Sequence, residues 1–422
     1  MGWGRKALLV TAAAALAGTA TAQPANRGPV ATYWVSAATA TGFGAGMQPG
    51  ARPSMGQIMG MMGGGGNNVV KTLTLQLGSA RRPAGEPQAD HLPPAGLGAG
   101  QQLPLLTPRS APPATREEPD IPREFQKPRG RMLIFWGCGE RARQGQPLVL
   151  DFAQMAEGRL PAGLQNLSQV FVSSQNPPSP GRNTTYGEWP NERTRIRVPA
   201  NGSLVGEHVV RGNYTPEIRF ALSQAQDFMG PFELTTNRKN PSGSGQLGWR
   251  PVQGAKAYHA VMMGGGENDT VVMWSSSEVQ AMAMLPDYLS DGDISRLVSQ
   301  KALMAPTTTS CTIPKEALDA SPAGMVQMAA YGGEANFSYP PRPDKPPPGW
   351  APEWVAKVRY KSTTGALLGM DMSGMADGYD DGEGARPRPG ARPRPGQQQP
   401  QQPPRRPGLG DVIRGGLGLP GL

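Results

Sequence analysis

From Thr72 to Leu77 every second position is apolar: Leu73, Leu75 and Leu77 alternate with Thr72, Thr74 and Gln76. A period of two puts the leucines on one face of an extended chain, which predicts a strand with one buried side. Residues 30–41 open with Val30, Thr32, Tyr33, Trp34 and Val35, a β-branched and aromatic run that predicts a first strand. Arg131 to Trp136 (RMLIFW) and Pro147 to Phe152 (PLVLDF) are nearly continuous apolar runs and predict buried strands. Shorter β-prone stretches at 169–173, 194–198, 205–211 and 217–222 predict more, with turn formers at 177–181 and 199–202 between them. Many short strands with Gly/Pro/Asn punctuation predict an all-β fold made of β-sandwiches. One stretch, 290–303, reads as a helix: Ser290 or Asp291 caps it, and Ile294, Leu297 and Val298 point inward.

Around residue 247 the pattern becomes more specific, with Leu247, Trp249, Pro251, Val252, Gly254, Ala255 and Tyr258 in close sequence. This spacing resembles the second and third strands of a fibronectin type III-like domain. The resemblance spans about residues 240–342. It implies that Leu247 and Trp249 fill the inner face of one sheet, that residues 251–254 turn, and that Tyr258 returns on the facing sheet. Val271 to Trp274 follow as a further strand, Met325 to Gly332 as the penultimate one and Asn336 to Tyr339 as the last. Such a resemblance implies a fold and no chemistry.

Composition divides the chain further. Its 422 residues include 57 Gly and 46 Pro, a level that approaches low-complexity sequence, and both are clustered. The expected organisation is therefore two β-sandwich (immunoglobulin/fibronectin III-like) domains with Gly/Pro-rich disordered insertions. The first spans 28–235, interrupted near 42–66 and 79–130, and the second spans 240–342. Residues 343–383 form a Pro-rich linker with an edge strand over Trp350 to Lys361. Residues 384–422 form a disordered Arg/Pro/Gln-rich tail that repeats Gly-Ala-Arg-Pro-Arg-Pro from Gly384 and again from Gly390.

The N-terminus changes the compartment. Arg5 and Lys6 precede an apolar run from Ala7 to Ala17, and Ala20-Thr21-Ala22 follow. That order is the one of a secretory signal peptide over 1–22, cleaved after Ala22. The run is much shorter than the roughly 20 residues a membrane span needs, and no later stretch is longer, so no transmembrane segment is expected in the mature chain. A periplasmic or extracellular location follows. In such a chain the two cysteines, Cys138 and Cys311, are expected as a disulfide.

The formal net charge is +9, and much of it sits in the tail, where seven arginines stand against one acid, Asp411. The folded part is thus near neutral, which argues against a nucleic-acid partner. The tail suits an anionic surface or another envelope component. Methionine supplies a second candidate: Met370, Met372 and Met375, and a further group at Met55, Met59, Met61 and Met62, offer soft thioether ligands to Cu(I). The acidic run 377–383 lacks the EF-hand spacing and reads as a solvated linker. His91 falls in the irregular block, while His208 and His259 fall in strand-like stretches, and none has metal-ligand spacing. Glu188 beside Trp189 is the one acid–aromatic pair that suits a sugar platform. No catalytic motif and no cofactor fingerprint is present. The expected function is a non-enzymatic, exported envelope binding or structural protein without a cofactor. A Met-rich copper-binding envelope protein is one alternative. A secreted hydrolase with a site assembled from distant residues is the other.

Overall fold

The computed structural model describes residues 28–43, 45, 69–108, 130–164, 166, 170, 172, 175–280 and 285–369. The expected signal peptide, the methionine groups at 55–62 and 370–375, the acidic run, the tail and residues 109–129 lie outside the described residues.

The chain opens with β1 (Ala31–Gly42), β2 (Val70–Ser79), β3 (Ala89–Leu92), β4 (Leu103–Pro104), β5 (Arg131–Trp136) and β6 (Leu148–Asp151). A short helix α1 (Phe152–Ala156) leads on to β7 (Thr185–Trp189), β8 (Gly206–Gly212) and β9 (Ile218–Leu222). Then come β10 (Leu234–Lys239), β11 (Gly245–Trp249), β12 (Ala257–Gly265), β13 (Thr270–Ser275) and helix α2 (Asp291–Ser299). The order closes with β14 (Ser310–Ile313), helix α3 (Lys315–Ala320), β15 (Met325–Tyr339) and β16 (Trp354–Leu367). Among the described residues one sheet has nine strands, in the order β6-β5-β13-β12-β15-β16-β1-β2-β7. Two smaller sheets, β4-β3-β8-β9 and β10-β11-β14, pack on it.

The alternation in the strands explains this layering. On β1, Tyr33, Val35 and Ala37 join the core, as do Leu73, Leu75 and Leu77 on β2 and Ala356, Val358 and Tyr360 on β16. These inner positions meet Val210, Ile218, Phe220 and Leu222 of one small sheet, and Leu247, Trp249, Cys311 and Ile313 of the other. All belong to one contiguous core. Ring contacts cross it in both halves: Tyr33 to Phe220 at 6.4 Å and Trp249 to Tyr258 at 5.5 Å. Leu247 and Trp249 thus lie in a small sheet and Tyr258 in the facing large one, the local arrangement expected for these residues.

The two halves meet where β1 lies parallel to β16 across its full length, Ala31 opposite Trp354 through Gly42 opposite Gly365. Several expectations change here. The edge strand expected over Trp350 to Lys361 is instead β16, which sits near the centre of the large sheet, between β15 and β1. Asn336 to Tyr339 are the end of β15, continuous with Met325 to Gly332 through a bulge between Tyr331 and Gly333. Gly333 has φ +76°, a left-handed value that a glycine adopts freely. The block 79–108 is ordered: Leu97, Leu103 and Leu105 are at most 2 % exposed, so this part is a folded flank of the first small sheet. Thr194 to Val198 form no strand. Residues 131–156 pass over to the far edge of the large sheet, where β5 lies parallel to β13, before β7 returns to pair with β2.

Two devices secure the seam. On the inner side the segment joining β9 to β10 crosses between the layers, and its carbonyls need donors away from water. Thr39 donates to Met229 O at 2.8 Å, Thr41 to Phe232 O at 2.5 Å and Ser362 to Gly230 O at 2.8 Å. That is why three polar residues are buried on otherwise apolar strand faces. On the outer side β16 presents Lys357, Arg359 and Lys361 in one row. The Arg359 guanidinium lies between the Trp34 ring at 4.8 Å and the Tyr288 ring at 4.4 Å. It also donates to Ser36 Oγ at 2.7 Å and to Gln175 Oε1 at 3.1 Å. Lys357 over Trp34 pairs with Glu334 at 2.6 Å, and Lys361 over Tyr288 pairs with Asp287 at 2.9 Å. A planar, forked cation suits the central place; a point charge on a flexible stem does not. Arg359→Lys is therefore expected to destabilise the protein by about 1–2 kcal/mol in urea denaturation, through lost stacking and one lost hydrogen bond. An unchanged midpoint and slope would mean the row is decorative.

Candidate functional site

Three places bring chemistry-bearing side chains together. The first is buried between the large sheet and the first small one. The Tyr33 hydroxyl lies 2.8 Å from His91 Nδ1, His91 Nε2 lies 3.2 Å from His208 Nδ1, and His208 Nε2 lies 2.7 Å from Leu204 O. The carbonyl at the end can only accept, so it sets every proton in the chain. His208 donates through Nε2 and accepts at Nδ1; His91 donates through Nε2 and accepts at Nδ1; Tyr33 donates. Both imidazoles are neutral in this arrangement, and every nitrogen has a partner. Burial, and for His91 the neighbouring His208 as well, push the two histidines below their usual pKa. Tyr33 is pushed up by burial and then by Tyr214. Phe220 stacks on His208 at 5.0 Å and completes the packing. The sequence places His91 in an irregular loop; in the fold it is 1 % exposed, on β3 beside β8. With both ends satisfied and no opening to solvent, this chain fixes the layers to each other.

The second place is a cleft of about 170 Å³ on the outer face of the large sheet, lined by His259, Met263, Asp287, Met325, Gln327 and Lys361, among others. Met263 lies directly opposite Met325 on the neighbouring strand. His259 is four residues along β12 from Met263, about 13 Å at the rise of a strand. The imidazole and the two sulfurs therefore do not converge on one ion. Burial lowers the His259 pKa to about 4. Among the described residues no three of His, Cys, Asp and Glu gather as a metal group.

The third place is a cleft of about 690 Å³ at the junction of the two halves. Strand β12 begins at Ala257, opposite Tyr331, while β15 continues to Tyr339 beside β16. The side of β15 so left open, the turn after Val252 and the segment 224–229 enclose the cleft. Gln224, Gln226, Asp227, Gln253, Lys256, Glu334, Asn336 and Tyr360 supply its polar lining, and Phe228, Met229 and Ala335 its apolar part. The charged members are already engaged. Asp227 accepts from Ser203 Oγ at 2.6 Å and from Leu204 N and Phe228 N, both at 2.7 Å. Lys256 pairs with Asp291 at 2.8 Å, and Glu334 with Lys357 at 2.6 Å. The carboxamides are less committed. Gln226 Oε1 accepts from Ser223 N at 3.0 Å, and Asn336 Nδ2 donates to Glu334 Oε1 at 3.2 Å. The Gln224 and Gln253 side chains have no hydrogen-bond partner among the described residues. The Tyr360 hydroxyl is buried without a partner.

The remaining sequence candidates fall elsewhere. Cys138 and Cys311 form a disulfide, with their Cα atoms 5.3 Å apart. Trp189 is 5 % exposed and packs in the core, and Glu188 accepts from Tyr186 Oη at 2.6 Å, so this pair presents no open ring to a sugar. Ser290 caps α2 as expected, accepting from Asp293 N, and Ile294 and Leu297 face inward. No helix among the described residues is long and apolar enough to cross a membrane. The cleft escapes sequence reading because its residues come from four distant segments. The only local signal is the run of glutamines at 224 and 226. The chain matches no protein-family model, no curated protein and no solved structure.

Proposed function

We propose that this chain is an exported, non-enzymatic binding protein of the cell envelope, with the cleft at the junction of its two halves as the binding site. The observation that carries this reading is the cleft itself. It is larger than the cleft lined by His259, and it lies beside the seam of β16 on β1, with lining residues from four segments of the chain. The other chemically rich groups have structural duties: the histidine chain is sealed and the cysteines are joined. The disulfide suits an oxidising compartment, in keeping with the signal peptide read at 1–22.

Each half supports a sandwich reading. Strands β10, β11 and β14 in one sheet face β13, β12, β15 and β16 in the other, seven strands with Cys311 and Trp249 in the shared core. Seven strands split three and four in facing sheets suit a fibronectin III-like module over about 234–367, longer than the 240–342 span the sequence suggests. Strands β1, β2 and β7 facing β4, β3, β8 and β9 support a second sandwich fused to it along the sheet. The arginine-rich tail would add contact with an anionic envelope surface.

Sedimentation of the full chain with isolated envelopes tests the reading. Mass spectrometry of the envelope-bound product is expected to find Gln23 as its first residue and residues 138 and 311 in one linked peptide pair. Gln253→Trp, which fills the cleft from an exposed turn, is expected to lower the sedimented fraction severalfold. If only removal of 384–422 releases the chain, the tail is the binding element and the cleft is not.

A further inference from the structure

The hydrogen-bonding groups that this cleft leaves unused are neutral. Its one cation and its carboxylates are held by partners within the fold: Lys256 by Asp291, Glu334 by Lys357 and Asn336, and Asp227 by Ser203 and two backbone amides. A charged ligand would have to compete with those pairs. What stands ready are the amides of Gln224 and Gln253, Gln226 Nε2 and Asn336 Oδ1. A carboxamide both donates and accepts, which matches a hydroxyl that does the same. Phe228 and Met229 are buried beneath the cleft, and half-buried Ala335 adds a small apolar patch.

We infer that the junction cleft takes a neutral, polyhydroxylated ligand, a short oligosaccharide, held by the Gln224, Gln253 and Asn336 side chains. This rests on the reading of the cleft as the binding site and names its ligand class. The size fits, since about 690 Å³ lies within the range of small-molecule sites. The position fits as well. The turn that carries Gln253 is anchored by Tyr258, whose hydroxyl accepts from Val252 N at 2.8 Å, and by Gly230 N donating to Gln253 O at 3.2 Å. The facing segment is anchored by Thr39 and Ser362. The amides therefore project from fixed backbone, and little order must be created on binding.

The test is calorimetric titration of the full chain with three neutral trisaccharides (maltotriose, cellotriose and N-acetylchitotriose), an anionic one (trigalacturonate) and a cationic one (chitosan trimer). It is repeated on Gln224→Ala/Gln253→Ala and on Asn336→Ala. Gln224 and Gln253 are exposed, so the double variant is expected to keep the wild-type melting temperature. At least one neutral probe should bind, about tenfold more weakly in the double variant, the effect of losing about two hydrogen bonds. If only a charged probe binds, and these substitutions weaken it, the cleft is the site but the ligand class is wrong. If no probe responds to the substitutions, the ligand class and the cleft reading both fail.

Discussion

Reduction of the Cys138–Cys311 bond is expected to lower the stability of this protein by about 5 kcal/mol without changing its fold. The two residues are 173 positions apart, and in the chain-entropy description a loop of that length removes about this much free energy from the unfolded state. The native side has other ties at the same place. Gly139 N donates to Thr312 O at 2.8 Å, Lys315 N to Glu140 O at 3.0 Å and Ala142 N to Glu316 Oε2 at 2.8 Å. Trp274, fully buried on β13, donates to Gly137 O at 2.9 Å. The segment after β5 thus stays docked on β14 when the sulfurs part, and the loss falls on the unfolded ensemble. Urea denaturation with and without reductant, and of Cys138→Ala/Cys311→Ala, measures it. A difference below about 1 kcal/mol would mean that the unfolded chain is already compact around this pair.

The parts of the fold that sequence reading anticipates are those whose signal is local. The alternating leucines of β2, the run of β5, the Leu247–Tyr258 turn and the Ser290 cap each declare themselves within a dozen residues. The cysteine pair is legible from its even count together with the export signal read at 1–22. What escapes is assembled from a distance. Nothing near Trp354 tells that β16 will lie beside a strand more than 300 positions earlier; its Pro-rich approach reads as linker. The same density of Gly and Pro makes 79–108 look like exposed loop. Leu97, Leu103 and Leu105 dock one at a time into a small sheet, too widely spaced to show a period. The His91–His208 contact joins residues 117 apart, and the cleft joins segments near 225, 253 and 335. The seam explains why. A nine-stranded sheet built from both halves is specified by inner-face shape and by hydroxyls such as Thr39 that serve another segment's carbonyls.

Acid should unfold this protein through its histidines before its carboxylates matter. Each of the three is buried and held below its ordinary pKa of about 6.5: His91 and His208 in the sealed chain, His259 at about 4 beneath the second cleft. The folded state therefore refuses protons that the unfolded state takes up as soon as pH falls through the ordinary value. Stability is complete above about pH 6.5 and declines as pH drops from there towards the folded pKa values, at about 1.4 kcal/mol per pH unit for each histidine. For His91 and His259 together the loss between pH 6 and pH 5 comes to about 2–3 kcal/mol, and His208 adds to it in the same direction. Glu217 is held low by Arg219 and Arg211, and Glu316 first by the Ala142 amide and then by Arg141, so their contribution is lost only at more acid pH. Within the chain, protonating either imidazole replaces an acceptor by a donor. On His208 the new Nδ1–H then faces the Nε2–H of His91 across 3.2 Å, while the Nε2–H bond to Leu204 O stays. Unfolding free energies in urea at pH 7, 6 and 5, with calorimetric proton uptake at pH 5, check this. Uptake of about two protons or more is expected, falling by about one in His259→Leu. Stability that stays level from pH 7 to 5 would mean the folded core accepts charge on these rings, and the neutral, one-directional chain assigned to Tyr33, His91 and His208 would be wrong.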